Sequence, residues 1–344
     1  MLEGRQAFSR RRVPSGMAVA VVILGAAVAI GLIGWAGTEP VLDAFKAVGW
    51  GVAVVCILRA VALAAAGLGW LKLFPPGQRP PASTCMLIRF LREGANALLP
   101  MTQIGGEIIG ARALSLRGIP ASLCIASVVV DVLLQAATQF LFALVGVAML
   151  AATGRGASVG ETVAIIILVA VPALYGFYFV QRPSGQRAVN ALLARLIGNR
   201  GRLSIGALDA LYSRLSAIYA NRQGLAFAAA IHMAVWLFGA LEVWVVLAFM
   251  GLRANYPEAL IIESLMQAVR GAAFAIPAAL GAQEGGLVAI CAIFGISSQI
   301  AIALSLVKRV PDLVLGLPSL VGWQLLEGRS LLAGGAADTG RRSE

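Results

Sequence analysis

A chain of 344 residues that is 60% hydrophobic and only 12% charged falls outside the range of soluble globular proteins. Its net charge of +11 sits almost wholly in arginine clusters outside the apolar runs, which leaves no basic soluble domain to bind nucleic acid. The four cysteines, Cys56, Cys85, Cys124 and Cys291, are scattered without metal or disulfide spacing and read as small apolar packing residues.

A bilayer core of about 30 Å needs about 20 helical residues. Residues 17–36 carry no charge and follow Arg5, Arg10, Arg11 and Arg12. That run is too long for a signal-peptide core, so it reads as an uncleaved first span. Residues 48–71 form a second span with Arg59 as its one charge. Two shorter apolar segments follow, 85–99 and 103–117, and then spans at about 119–151 and 161–180. Residues 186–220 show apolar stripes at helical spacing, including Leu208, Leu211, Tyr212, Leu215 and Tyr219, and read as two amphipathic helices on the headgroups. A span at 226–251, a second short pair (259–276 with 282–296) and a last span at 299–326 complete the chain.

A 15-residue helix reaches only about 22 Å. Each short pair is therefore expected as a re-entrant hairpin, buried in protein or lining a cavity, with two tilted spans as the alternative. The fold class that follows is all-α: a polytopic membrane helical bundle forming one integral membrane domain.

One frame occurs twice. Pro100, Glu107, Gly118 and Asp131 are separated by 7, 11 and 13 residues, and so are Pro277, Glu284, Gly295 and Lys308. Each glutamate touches a glycine pair, Gly105-Gly106 in the first copy and Gly285-Gly286 in the second. Broken, Gly/Pro-interrupted hydrophobic segments in corresponding halves are a signature of membrane transporters. The loop 182–223 holds seven arginines against Asp209 alone, which places it, 72–84 and both termini in the cytoplasm. On that topology repeat one (about 48–151) and repeat two (about 226–326) are inverted, with a cytoplasmic insert at about 182–223 between them.

Charges at membrane depth are costly, which makes each a functional candidate. Arg59 lies midway along the second span. Asp131 shares a helix face with Gln135 and Gln139. Lys308 and Arg309 take the matching place in the last span, with Asp312 a turn beyond. Glu107 and Glu284 sit just after the chain breaks, where helix N-termini attract anions. Asn96, Gln103 and Gln283 flank the same breaks, and Arg112 lies with Arg117 towards the cytoplasmic surface, where phosphate contact or simple orientation would explain them. Together these residues suit a polar cavity holding a charged or hydroxylated headgroup. The alternative is plain pairing, such as Glu107 with Arg112 and Asp131 with Lys308 or Arg309. His232 stands alone in an apolar span and reads as a hydrogen bond to a neighbouring helix. Without a nucleophile motif, phosphate loop or metal-ligand spacing, the chain reads as no enzyme, with neither cofactor nor metal.

The stretch NALLPMTQIGGEIIGARALSLRGIPASLCIASVVVDVLLQ (96–135) resembles flippase-like membrane proteins related to the membrane half of lysylphosphatidylglycerol synthases. Within that group it looks closest to the hopanoid-biosynthesis-associated proteins of the HpnL type. IPAALGAQEGG (276–286) and ALSLVKRVPDLVLGLPSLVGWQ (303–324) agree. Family motif positions carried here are Asn96, Pro100, Gly106, Glu107, Arg112, Pro277, Glu284, Gly285, Gly286, Lys308 and Arg309. The resemblance implies a multi-pass protein of the bacterial inner membrane that moves a hopanoid or another polar lipid. A non-catalytic scaffold of a lipid-biosynthesis pathway and a headgroup-modifying enzyme subunit are the alternatives. Expected partners are membrane lipids, with lipid-biosynthesis enzymes and a homodimer left open. With the native cysteines replaced, Ser158→Cys and Ser184→Cys are expected to react with an impermeant thiol label from opposite sides of the membrane; labelling from one side would overturn this topology.

Overall fold

The computed structural model describes residues 38–98, 104–154, 159–197, 202–273, 276 and 279–339, and every element among them is a helix. In chain order these are α1 (Thr38–Val48), α2 (Gly51–Leu71), α3 (Ala82–Leu98), α4 (Gly105–Ser115), α5 (Ala121–Ala152) and α6 (Val159–Val180). They continue as α7 (Pro183–Ile197), α8 (Arg202–Ala220), α9 (Arg222–Phe249), α10 (Tyr256–Ala272), α11 (Ala282–Ile293) and α12 (Ser298–Thr339). The expected span at 17–36 lies outside the described residues, as do Pro100, Gln103 and Pro277.

Among the described residues three helices, α2, α5 and α9, are long and apolar enough to cross a membrane, and less than half of each apolar window is buried. Their outer faces expose Ile57, Val61, Leu141, Val145, Leu237 and Trp244, a surface that lipid can cover and water cannot. Helix α12 is longer still, but Lys308, Arg309 and Asp312 interrupt its apolar run.

The short segments fold as short helices. Helices α3 and α10 have 17 residues each, and α4 and α11 have 11 and 12. At about 1.5 Å per residue, α4 and α11 reach roughly 16–18 Å, well short of the hydrocarbon core. Each packs against its predecessor, α4 on α3 and α11 on α10, and against the long helix that follows.

A constant offset of 177 residues relates much of this packing, carrying Gly118 onto Gly295. Both glycines take a left-handed backbone, with φ of +86° and +72°. In each the N–H bonds back three residues, Gly118 to Ser115 O and Gly295 to Ala292 O, both at 3.1 Å. A side chain at either position would be strained, so the matched glycine of the sequence frame is a helix-ending residue.

The offset also exchanges contacts between elements. Helix α3 packs on α12, and its counterpart α10 packs on α5. Where α3 crosses α12, a Cβ on Gly94 would lie 2.7 Å from Gly316 Cα; where α10 crosses α5, a Cβ on Gly271 would lie 3.4 Å from Gln139 Nε2. These four positions are the same two under the offset. Likewise Ser319 donates to Phe90 O (3.3 Å) and Gln139 Nε2 to Gln267 O (2.7 Å), and Phe90 and Gln267 are equivalent. Helix α2 meets its counterpart α9 directly. Gly51 at its start faces Phe249, and Gly69 near its end faces Ala228 and Ile231, so the two run antiparallel.

Two large apolar cores result among the described residues. One gathers Trp70, Phe74, Leu91, Leu114, Leu123 and Val130, and takes Tyr212, Leu215 and Ile218 from α8. The other gathers Val243, Leu247, Ile262, Met266, Leu287 and Leu304, and takes Val48 at the end of α1. Helix α8 therefore spends its apolar stripe on α5, not only on lipid headgroups as expected. Amphipathic spacing reports one apolar face; it does not say whether protein or lipid covers it. Cys85 and Cys124 are buried in the first core and Cys291 in the second, all as free thiols.

Because backbone meets Gly94 at the α3–α12 crossing, Gly94→Leu is expected to overpack it and cost about 1–3 kcal/mol or more. Gly176→Ala, at a position with open space around it, is expected to be neutral. Thermal unfolding of the two purified variants in detergent checks the contrast.

Candidate functional site

The charges at membrane depth gather in two clusters, one on each hairpin. In the first, Arg92 of α3 reaches two acids at once. Its Nη1 lies 2.7 Å from Asp131 Oδ2 on α5, and its Nη2 contacts Glu107 on α4. Arg92, Asp131 and Glu107 are 1%, 0% and 14% exposed at the side chain, so the link is almost dry. The approach depends on glycine. A Cβ on Gly106 would collide with Arg92 O, and one on Gly110 would lie 2.5 Å from Arg92 Cγ. The GxxxG stripe of α4 lets α3 and the stem of Arg92 lie against it. Asn96 clamps the same turn: its Oδ1 accepts the Gly106 N–H (2.7 Å) and its Nδ2 donates to Glu107 (3.4 Å).

Asp131 has further partners. His232 Nε2 of α9 lies 2.9 Å from Oδ1, and Arg89 Nη1 of α3 lies 3.6 Å from Oδ2. Arg89 also donates to Gln135 Oε1 (3.3 Å) and sits 3.8 Å from Glu93. The Trp70 ring of α2 lies 5.0 Å from the Arg92 guanidinium carbon, in cation–π range. His232 thus bonds a neighbouring helix, as the sequence led us to expect.

The second cluster reverses the polarity. Lys308 of α12, the counterpart of Asp131, bonds Glu263 of α10 at 2.7 Å and stands 3.7 Å from Glu242 of α9. Glu242 also takes Arg59 of α2 at 2.9 Å, and Gln267 donates to Glu263 at 2.7 Å. Glu284 accepts from Arg309 (2.8 Å), from Ser305 (3.0 Å) and from the Gly281 N–H at the start of its own helix (2.8 Å). Gln283 donates to Ser305 at 3.0 Å. Gly286 packs on Val269, and Gly285 faces open space. Between the clusters, Arg59, Glu93 and Asp312 face one narrow cleft beside the Gly94–Gly316 crossing.

Pairing at depth is therefore real, but with partners other than those expected. Asp131 takes Arg92, Arg89 and His232, while Lys308 and Arg309 turn to Glu263 and Glu284. Glu107 takes Arg92. The reason is geometric: Asp131 and Lys308 occupy equivalent places in different halves, and each meets the short helix of its own half. Arg112 lies in the last turn of α4, half-buried.

The sequence reading passed over Arg89, Arg92, Glu93, Glu242 and Glu263. Each lies within a segment already recognised as apolar, and counting every charge at depth would have found all five.

The model of the family described as the lysylphosphatidylglycerol synthase TM region matches residues 22–319, a stretch that includes both hairpins and both charge clusters. The chain belongs to that family. It is accordingly a membrane protein connected to lipid metabolism or transport. No curated protein and no solved structure matches it.

Removing one partner of a dry ion pair strands the other charge, which costs about 3–5 kcal/mol. Arg92→Gln and Asp131→Asn are each expected to lose stability on that scale. The double variant is expected to lose less than their sum by about 1–3 kcal/mol. Unfolding midpoints of the three variants and the wild type complete the cycle.

Proposed function

We propose that the protein moves a polar lipid across the bacterial inner membrane, as a flippase-like transporter built from two inverted repeats. The observation that carries this reading is the pair of buried, oppositely polarised charge clusters, one on each short helical hairpin. Protein that only fills a bilayer gains nothing from placing Arg59, Arg92, Lys308 and their acids at depth. Sites at the interface of inverted repeats, formed by broken helices near the midplane, are how secondary transporters hold substrates.

Inversion is supported by the antiparallel run of α2 against α9, and by the exchange of the α3–α12 and α5–α10 contacts under one offset. It implies that rocking one half against the other would open the cleft at Arg59, Glu93 and Asp312 to alternate faces. Arg59 and Arg92 each keep an Nε–H with no acceptor among the described residues, donors that a headgroup could take up. The arginine-rich loop 182–223 supports cytoplasmic termini. A hopanoid or similar polar lipid is the proposed cargo, in keeping with the resemblance to the HpnL type. We propose no catalytic activity for the chain.

Reconstitution of the full-length protein into vesicles with labelled polar lipids tests this. The wild type is expected to speed transbilayer movement over protein-free vesicles. Glu107→Gln and Glu284→Gln are expected to slow it by about ten-fold or more, in protein that still elutes as a single species. Movement equal to that of protein-free vesicles would overturn transport. A changed lipid species in a deletion strain would then point to an enzyme subunit, and an unchanged one to a scaffold.

A further inference from the structure

A cavity of about 570 Å³ lies apart from both charge clusters. It opens where α2 ends, α3 begins and α4 turns into α5, and α8 closes its side. Arg79, Arg117 and Arg214 line it, together with Gln78 and Thr84, and among the described residues no aspartate or glutamate does. Three guanidinium groups around one concave space repel each other unless an anion joins them.

Their geometry is fixed by neutral acceptors. Arg117 Nη1 donates to Thr84 Oγ1 at 2.8 Å, Arg214 Nη1 to Gln78 Oε1 at 3.1 Å, and Arg79 Nε to Phe74 O at 3.3 Å. Each of these bonds occupies one N–H and leaves the others of the fork available. No ion pair joins any of the three arginines to a carboxylate among the described residues. They differ in this from Arg59, Arg89, Arg92 and Arg309, each of which has its acid.

Two helix starts also border the cavity. Pro81 precedes α3 and Pro120 is the N-cap of α5, where no side chain caps the helix. The first free N–H groups of both helices add partial positive charge beside the arginines.

We propose that this cavity is an anion-binding subsite for a phosphate group. The shape of guanidinium forks favours planar, bidentate contacts to phosphate oxygens over contacts to a simple halide. The subsite stands without the transport reading, because its residues are not those of the charge clusters. Its place at the ends of helices, on the arginine-rich face, suits the headgroup of a phospholipid, and equally a free phosphate from the aqueous side.

Calorimetric titration of the purified full-length protein in a neutral detergent distinguishes these sources, with inorganic phosphate and a soluble dihexanoyl phosphatidylglycerol as probes. At least one probe is expected to bind saturably. Arg117→Gln combined with Arg214→Gln is expected to weaken it by about ten-fold or more, as the loss of two charge-assisted hydrogen bonds predicts. Gln78→Glu, which removes no arginine, is expected to weaken it too by supplying the missing acid. Arg117→Lys with Arg214→Lys, which keeps the charge, is expected to retain more affinity than the glutamine pair. Binding of the lipid that phosphate fails to displace identifies a headgroup site; full displacement by phosphate identifies a free-anion site. No saturable binding of either probe, or equal affinity in wild type and both the glutamine and glutamate variants, would overturn the proposal.

Discussion

Charge without a counter-charge is too costly to keep in hydrocarbon, and this constraint decides where the helices of this protein stand. Arg92 is the clearest case. Its one side chain, lying on Trp70 of α2, binds acids on α4 and α5, and Asp131 in turn binds His232 on α9. Five helices are thus held in register by groups that lipid cannot satisfy. Apolar packing has no such directionality, because lipid tails are as apolar as leucine. The ion pairs supply a specificity that the apolar cores on their own lack.

The short hairpins follow from the same constraint applied to the backbone. A helix of 11 or 12 residues cannot carry its ends to both surfaces, so those ends must be buried in protein. Asn96 meets the Gly106 N–H at the first tip, and Glu284 meets the Gly281 N–H at the second. Glutamate at the second break thus serves backbone and arginine together. At the first break the two tasks are divided between Asn96 and Glu107. The packing of α1 on α12 and of α8 on α5 adds a further tie, since each of these amphipathic helices leads one set of helices and covers the other.

Much of the fold was legible in the sequence because membranes impose simple lengths. The spans at 48–71, 119–151 and 226–251 correspond to α2, α5 and α9, and both short pairs appear as short helices. Gly118 and Gly295 were visible as recurring positions, and their left-handed backbone gives the physical cause. The candidate site was legible only in part. Glu107, Asp131, Glu284, Lys308 and Arg309 all sit in the clusters, but their partners on α3, α9 and α10 were not foreseen. Spacing along a chain does not reveal which helix will face which. The pairing of Asp131 with Arg92 depends on the GxxxG stripe of α4, a contact between segments that hydropathy treats as uniform.

The polarity of the clusters bears on how the two halves relate. In the first, the base lies on the short helix α3 and the acid on the long α5; in the second, the acid lies on α10 and the base on α12. Across the middle, Arg59 of α2 depends on Glu242 of α9, and the offset of 177 residues carries Glu242 onto Ala65. A molecule assembled from two first halves would set Arg59 against a copy of Ala65, with the carboxylate of Glu242 gone. A molecule of two second halves would set Glu242 against a copy of Trp236 in place of Arg59, leaving it to share Lys308 with Glu263. The two halves complement one another in charge, as plug and socket do in shape, so neither can stand in for the other.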